Sequence, residues 1–374
     1  MFNIEKTEAI ADMQTRYETT KKEKQIIEQQ ASLKTIQLQT AKQKLQRNMF
    51  IVGFGLMIIF AIIVFRSYRQ KKKANILLAE QKEQISEKNE ELNQLVEEVT
   101  TQKDIVEEIN NEISQSIDYA TRLQESILPE TNLLEEYLSD YFVLFKPKDK
   151  VSGDFYWWTH IEGHTVITAA DCTGHGVPGA FMSMLGVSFL REIVMKEYIT
   201  HPGVILRKLR KEIIKALRQK RETGGQKDGM DMAIVSINNE TNLLQFSGAN
   251  NPLYIITNNA RKLTGFETLQ GFDGFYEIKP DKMPIAIYEK MDNFTTPEIQ
   301  LEKGDQLYMF SDGFADQFGG PMGKKFKYKP FKQMLLDNAN KTMSDQKNML
   351  NTVFEEWKSG LEQIDDVVIL GIKI

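Results

Sequence analysis

Four aspartates stand in four short contexts along the chain: Asp154 in Val-Ser-Gly-Asp, Asp171 in Asp-Cys-Thr-Gly-His-Gly, Asp312 in Ser-Asp-Gly and Asp365 in Asp-Asp-Val-Val. Each lies at the edge of an apolar, strand-like run, and none of the four motifs carries a Lys or Arg. Carboxylates gathered from separate strand ends repel one another and resist burial unless a cation neutralises them. Hard oxygen donors in that number suit Mg2+ or Mn2+ rather than zinc. Such a site lowers the pKa of a bound water and hydrolyses a phosphoester. Any one of these residues alone reads as a turn or capping Asp, so the weight rests on the four together.

These motifs carry a resemblance. They read Val-Ser-Gly-Asp-Phe-Tyr at 151–156, Asp-Cys-Thr-Gly-His-Gly-Val-Pro-Gly-Ala at 171–180, Ser-Gly-Ala-Asn-Asn-Pro-Leu-Tyr at 247–254, Phe-Ser-Asp-Gly-Phe at 310–314 and Asp-Asp-Val at 365–367. In that order they resemble the SpoIIE-type branch of the PPM family of metal-dependent Ser/Thr protein phosphatases, over 124–374. The resemblance implies an α+β fold, an α-β-β-α sandwich of two antiparallel sheets flanked by helices, with two Mn2+ or Mg2+ ions at one end.

It also implies residue roles. Asp171 matches the carboxylate that bridges both ions, and the carbonyl of Cys172 binds one of them. Asp154 matches a second ligand that reaches its ion through water. Asp312 and Asp365 match the remaining ligands, with the first of the Asp365–Asp366 pair in register; by sequence alone the two could exchange roles. One departure is Val368, where the family often has Thr or Ser, which removes a hydroxyl from the ligands' surroundings. His175 has two readings: a general acid, given a reference pKa of about 6.5, or a loop residue between Gly174 and Gly176, which is favoured. Lys146, Lys148 and Lys150 read as a solvated basic loop. Asp228 and Asp231 precede a strand near the same end, and Asp231 is a candidate for an outer ligand shell. Asn250-Asn251-Pro252 reads as a hairpin turn at the floor of the site.

The elements that must position these residues follow from pattern. Apolar runs at 143–145, 166–169, 233–237, 253–257, 306–310 and 367–372 read as strands. The segments 179–198, 204–222, 331–339 and 344–359 read as helices. Strands cluster with helices between them, an α+β arrangement. The chain has 374 residues, enough for one large domain with helical attachments, and a net charge of −5, which gives no case for nucleic-acid binding. A single cysteine, Cys172, excludes an internal disulfide and a multi-cysteine zinc site. The four histidines all lie beyond residue 120, against a histidine kinase whose dimerising helix carries a phosphoacceptor.

Residues 49–65 contain no charged or strongly polar side chain. As a helix they rise roughly 26 Å, at the short end for a bilayer core of about 30 Å. A buried core helix is the alternative, but both flanks are charged helix. Arg66, Arg69, Lys71, Lys72 and Lys73 outnumber Lys42, Lys44 and Arg47, which places the C-terminal side in the cytoplasm. The extracytoplasmic segment 1–48 is polar and helix-prone; 10–29 resembles the helix that follows tetratricopeptide-repeat sensors, though no repeat is present. In 66–123, Leu78, Ile85, Leu92, Val99, Val106 and Ile113 recur every seven residues, as in a two-stranded coiled coil. Past Ile113 the spacing approaches 3.6, so the helix is expected to leave its partner and pack on the domain at 124–374.

The reading is a membrane-anchored, dimeric phosphoprotein phosphatase whose substrate, by resemblance, is a phosphorylated regulator such as a STAS-class anti-sigma-factor antagonist. A catalytically silent scaffold is the first rival. A metal-dependent nucleotide cyclase is the second, and lacks an evident base-recognition set.

Overall fold

The computed structural model describes residues 4–220 and 227–374. Two compact units emerge, Met1–Ile105 and Val106–Ile374. The described part of the first is formed by α1 (Ile4–Ile127), whose last turns belong to the second unit. Within α1 the apolar side chains of 49–65 are exposed, Phe50 at 81% and Phe60 at 67% among them. The helix is long and apolar enough there to cross a membrane. The stretch Gly176–Lys196 meets the same compositional test but is half buried, as a core helix is. The heptad row is also exposed, from Ile113 at 51% to Val99 at 61%. Apolar surface of that extent favours a partner or lipid cover by roughly 25 cal/mol per Å2.

The second unit contains, in order, β1 (Asp140–Lys146), β2 (Phe155–Ile161), β3 (His164–Cys172), α2 (Gly176–Leu190), α3 (Pro202–Ala216), β4 (Met230–Asn238), β5 (Leu243–Ala249), β6 (Leu253–Ile256), β7 (Phe275–Ile278), β8 (Glu298–Gln300) and β9 (Gln306–Phe310). Then follow α4 (Gly313–Asp316), β10 (Phe318–Gly319), β11 (Lys324–Lys325), α5 (Tyr328–Asp337), α6 (Met343–Lys358) and β12 (Val367–Lys373). One five-stranded sheet has the order β1-β12-β9-β6-β7 and the other β2-β3-β4-β5-β8, with antiparallel neighbours throughout.

Three apolar layers hold the stack together. Between the sheets, Ile167, Val235 and Phe246 meet Ile255, Leu307 and Val368. Outside the second sheet, Phe155 and Trp157 pack with Leu190, Ile205 and Leu209 of α2 and α3. Outside the first, Phe142, Tyr308 and Phe310 pack with Phe331, Leu350 and Phe354 of α5 and α6. This is the α-β-β-α sandwich. Sequence signals set the helix starts: Pro202 opens α3, and Thr342 caps α6 by accepting from the Asp345 N–H.

All six expected strands are present, and four further strands complete the two sheets. In β2, both faces are largely buried, so no polar alternation marks it. In β5 the second half is Ser-Gly-Ala, poor in strand formers. Residues 221–222, the end of the expected helix 204–222, lie outside the described residues. The segment Asn250-Asn251-Pro252 is not a hairpin turn: β5 and β6 belong to different sheets, so it is the corner at which the chain crosses between them.

Candidate metal centre

Antiparallel pairing decides where the aspartates fall. Phe155 pairs with Ala170, so Asp154, just before β2, sits at the end where β3 finishes. Asp171 is the penultimate residue of β3 rather than the residue after it, and it pairs with Asp231 at the start of β4. In the other sheet, β9 ends and β12 begins at the same place, with Ile369 opposite Phe310. Asp312 follows the one and Asp365 precedes the other. Five carboxylates from five strand ends therefore meet at one end of the sandwich.

Close backbone packing brings the loops together. A Cβ on Gly153 would collide with the carbonyl of Gly174, which joins the Asp154 turn to the loop after Asp171. Gly313 is likewise pressed against the carbonyl of Asp366, which joins the Asp312 turn to the Asp365 segment. Only residues without a side chain fit at these two contacts.

Asp171, Asp231, Asp312 and Asp365 line one pocket of about 340 Å3, together with Cys172, His175 and Lys227. A larger hollow of about 900 Å3 follows the open edge of β1, but it collects no such set of carboxylates. Asp154 is buried, and its Oδ2 has no hydrogen-bond partner among the described residues. The pair 365–366 divides its work. Asp365 faces the pocket. Asp366 is buried, its Oδ1 accepting the Lys148 N–H and its Oδ2 the Gly153 N–H, both at 2.7 Å. Its two oxygens are thus committed to holding 148–153 in place.

Electrostatics sharpen the case. Burial first, then Asp154, Asp312, Asp365 and Asp231, push the Asp171 carboxyl well up. Asp154 is raised by burial and by Asp366, Asp365 and Asp312, with the Ser311 hydroxyl opposing. Asp312 is pushed up to about 6 by burial, Asp365, Asp316 and Asp231, against Lys325. Carboxylates raised in this way are costly to ionise together, a cost that a bound cation relieves. The orphaned Asp154 oxygen and an all-oxygen donor set fit a hard divalent ion. Among the described residues no three such side chains are already set as a closed cage.

Other expectations resolve as follows. Lys148 Nζ lies 3.0 Å from His175 Nε2, and His175 Nδ1 lies 2.9 Å from Asp149 Oδ2. An ammonium only donates, so Nε2 accepts and the Nδ1–H donates to Asp149. Both ring nitrogens are thus engaged in the loop. Lys146 pairs with Glu355 and Lys150 with Asp118, so neither is a free basic loop residue. Asn250 donates to Asp231 Oδ1 at 2.8 Å, tying the sheet-crossing corner to the site. Val368 offers no hydroxyl, and its backbone N–H donates to Ser311 Oγ at 3.0 Å.

Sequence reasoning did not find Gln124. It is buried at the end of α1, donates to the Ser152 carbonyl at 2.6 Å and to Ser183 Oγ at 2.8 Å, and accepts the Ser152 N–H at 3.0 Å. Its only signal in the sequence is its place in the row Ile117, Ala120, Gln124, Ile127, where the spacing approaches 3.6.

Comparisons with known proteins bear on the family and the fold. The family model described as Stage II sporulation protein E (SpoIIE) matches residues 161–374. The SiaA-PP2C domain of Pseudomonas aeruginosa superposes with a TM-score of 0.60 at 28% identity, over 71% of this chain and 98% of that one. The PP2C phosphatase domain with a regulatory fragment of SpoIIE from Bacillus subtilis gives 0.49 at 19% identity, over 63% of this chain and 61% of that one. No curated protein gives a significant match.

Proposed function

This chain belongs to the SpoIIE family of PPM-type phosphatases, and from that premise we propose that it removes phosphate from phosphoserine or phosphothreonine on a regulatory protein. The observation that carries the proposal is the convergence of Asp171, Asp312 and Asp365 on one pocket, with Asp154 buried and its Oδ2 lacking a partner among the described residues.

In this reading Asp154, Asp171, Asp312, Asp365 and the Cys172 carbonyl hold two Mn2+ or Mg2+ ions. The bound ions supply Lewis acidity, which makes water a nucleophile at neutral pH and neutralises charge on the phosphoryl group. The protein's own residues position and tune. Asp366 holds 148–153 and so fixes the Asp154 turn. Ser311 links β12 to Asp154. Asp231, steadied by Asn250, acts as an outer carboxylate that orients water.

The organisation we propose is an extracytoplasmic helix at 1–48, a membrane span at 49–65, a coiled-coil linker at 66–123 and a cytoplasmic phosphatase domain at 124–374. The exposed heptad row supports a parallel homodimer. A STAS-class regulator is the proposed substrate, on family resemblance.

The test is phosphate release from a phosphoserine protein by the full chain with Mn2+ and with excess EDTA. Turnover with Mn2+ that ceases in EDTA is expected. Equal rates under both conditions would exclude the metal site.

A further inference from the structure

After Asp312 the chain forms α4, leaves through β10, turns, and returns through β11 into a stretch with five lysines in nine residues, Lys-Lys-Phe-Lys-Tyr-Lys-Pro-Phe-Lys at 324–332. Lys324, Lys325, Lys327 and Lys329 are exposed. Among the described residues, Lys324, Lys327 and Lys329 hold no ion pair, and Lys325 is held by Asp316 at 2.7 Å. This strip belongs to a chain of net charge −5, and like charges so concentrated repel one another at some cost.

The strip is rigidly seated beside the carboxylate pocket. The Lys327 N–H donates to the Ala315 carbonyl at 2.6 Å, three residues past Asp312, and the Phe326 N–H donates to the Gln317 carbonyl at 3.0 Å. Trp357 pins the hairpin: its Nε1–H donates to the Gln317 carbonyl at 3.0 Å, its own carbonyl accepts the Gly320 N–H at 2.8 Å, and its ring meets Phe326 edge-on at 5.1 Å. The Tyr328 ring lies 6.2 Å from that of Phe310, two residues before Asp312. Lys327 adopts φ 74°, ψ 156°, a strained conformation that belongs almost wholly to glycine. Exposed Phe318 and Met322 add an apolar tip, Met322 at 74% exposure.

We propose that the β10–β11 hairpin and its lysine strip form a docking platform for an acidic protein segment, so that the substrate is a phosphorylated residue flanked by carboxylates. The proposal rests on the phosphatase reading and gives it a substrate class. The pocket's own carboxylates repel acidic flanks, whereas the neighbouring lysines attract them; the two fields together orient a segment with its phosphate inward. Basic strips of this kind speed encounter with complementary partners and set their register. An anionic bilayer is the other surface that lysines meet, but this strip is interrupted by Asp316 and adjoins a negative pocket, which suits a segment better than a flat sheet of headgroups.

The test uses the full chain in phosphatidylcholine nanodiscs with Mn2+. The probes are two phosphoserine peptides that differ only in glutamate or glutamine flanks, with p-nitrophenyl phosphate as the small substrate. The glutamate peptide should have a KM lower by about tenfold, an advantage that shrinks as salt rises. The double substitution Lys324→Glu with Lys329→Glu should erase the preference, and Lys324→Arg with Lys329→Arg should keep it. Equal KM values for the two peptides, or a preference that survives charge reversal, would overturn the platform. An effect of the substitutions seen only with phosphatidylglycerol nanodiscs would reassign the strip to the membrane. Failure to hydrolyse any of the three substrates would instead bring down the phosphatase reading, and this proposal with it.

Discussion

The backbone of Gly313 rests directly on the carbonyl of Asp366, at a separation no Cβ could tolerate. This contact locks the turn that carries Asp312 to the segment that carries Asp365. It predicts that Gly313→Ala, a change of one methyl group, separates two of the proposed ligands. We expect a loss of about 1–3 kcal/mol of stability from overpacking, and Mn2+ affinity reduced beyond what that loss explains. Urea unfolding and calorimetric titration measure the two effects. Wild-type values in both would mean that the loops are not coupled through this contact.

The adjacent aspartates should behave differently. Asp365→Asn should weaken Mn2+ binding and leave the metal-free protein as stable as before or more so, since it removes a charge that its neighbours repel. Asp366→Asn should cost on the order of 1–3 kcal/mol of stability, because an amide offers one acceptor oxygen where the carboxylate satisfies two backbone N–H groups. The reverse pattern would exchange their roles.

Proton and metal should compete. Asp312 is raised from its ordinary 3.8 to about 6, and Asp154 and Asp171 are raised as well. A group raised on folding stabilises the native state fully below its unfolded pKa and loses that contribution as pH climbs through its folded pKa. From this site alone, the metal-free protein should lose stability between about pH 4 and pH 6 and beyond. Mn2+ should bind more tightly across the same window, since its ligands must shed protons. Unfolding midpoints in EDTA and in Mn2+ at several pH values check the sign: the gap between them should widen as pH rises. A gap that narrows would contradict the assigned ligands.

Much of this was legible in the chain because the ligand motifs are strings of neighbours: Asp171 with its Gly-His-Gly turn, and Asp312 before Gly313. The division of labour between Asp365 and Asp366 was only half legible, since it depends on which carboxylate the distant 148–153 segment reaches. Strand β2 was missed because Trp157 and Trp158 are buried on opposite faces, which erases the alternation a half-exposed strand shows. The corner at Asn250 was misread because turn residues reveal a reversal and not which sheet receives the chain. Gln124 and Ser311 were silent because buried polar links are made by partners far away in sequence.

Gln124 makes the register of α1 testable. Inserting one residue near Glu112 rotates everything downstream, Gln124 with its Ser152 and Ser183 contacts included, by about 100° relative to the preceding helix, with a large expected change in phosphatase rate. Inserting seven residues restores the face and should change the rate little. Equal rates in the two proteins, at equal metal occupancy, would reduce the helix to a tether.

The central claim is that Asp171 belongs to a pair of divalent ions that the chemistry requires. Its most direct test counts Mn2+ by electron paramagnetic resonance in the wild-type chain and in Asp171→Asn, alongside phosphate release from a phosphoserine protein. The account predicts two bound ions and turnover in the first, and lost occupancy with no turnover in a folded second. Full turnover by Asp171→Asn, or two ions retained with activity intact, would contradict it.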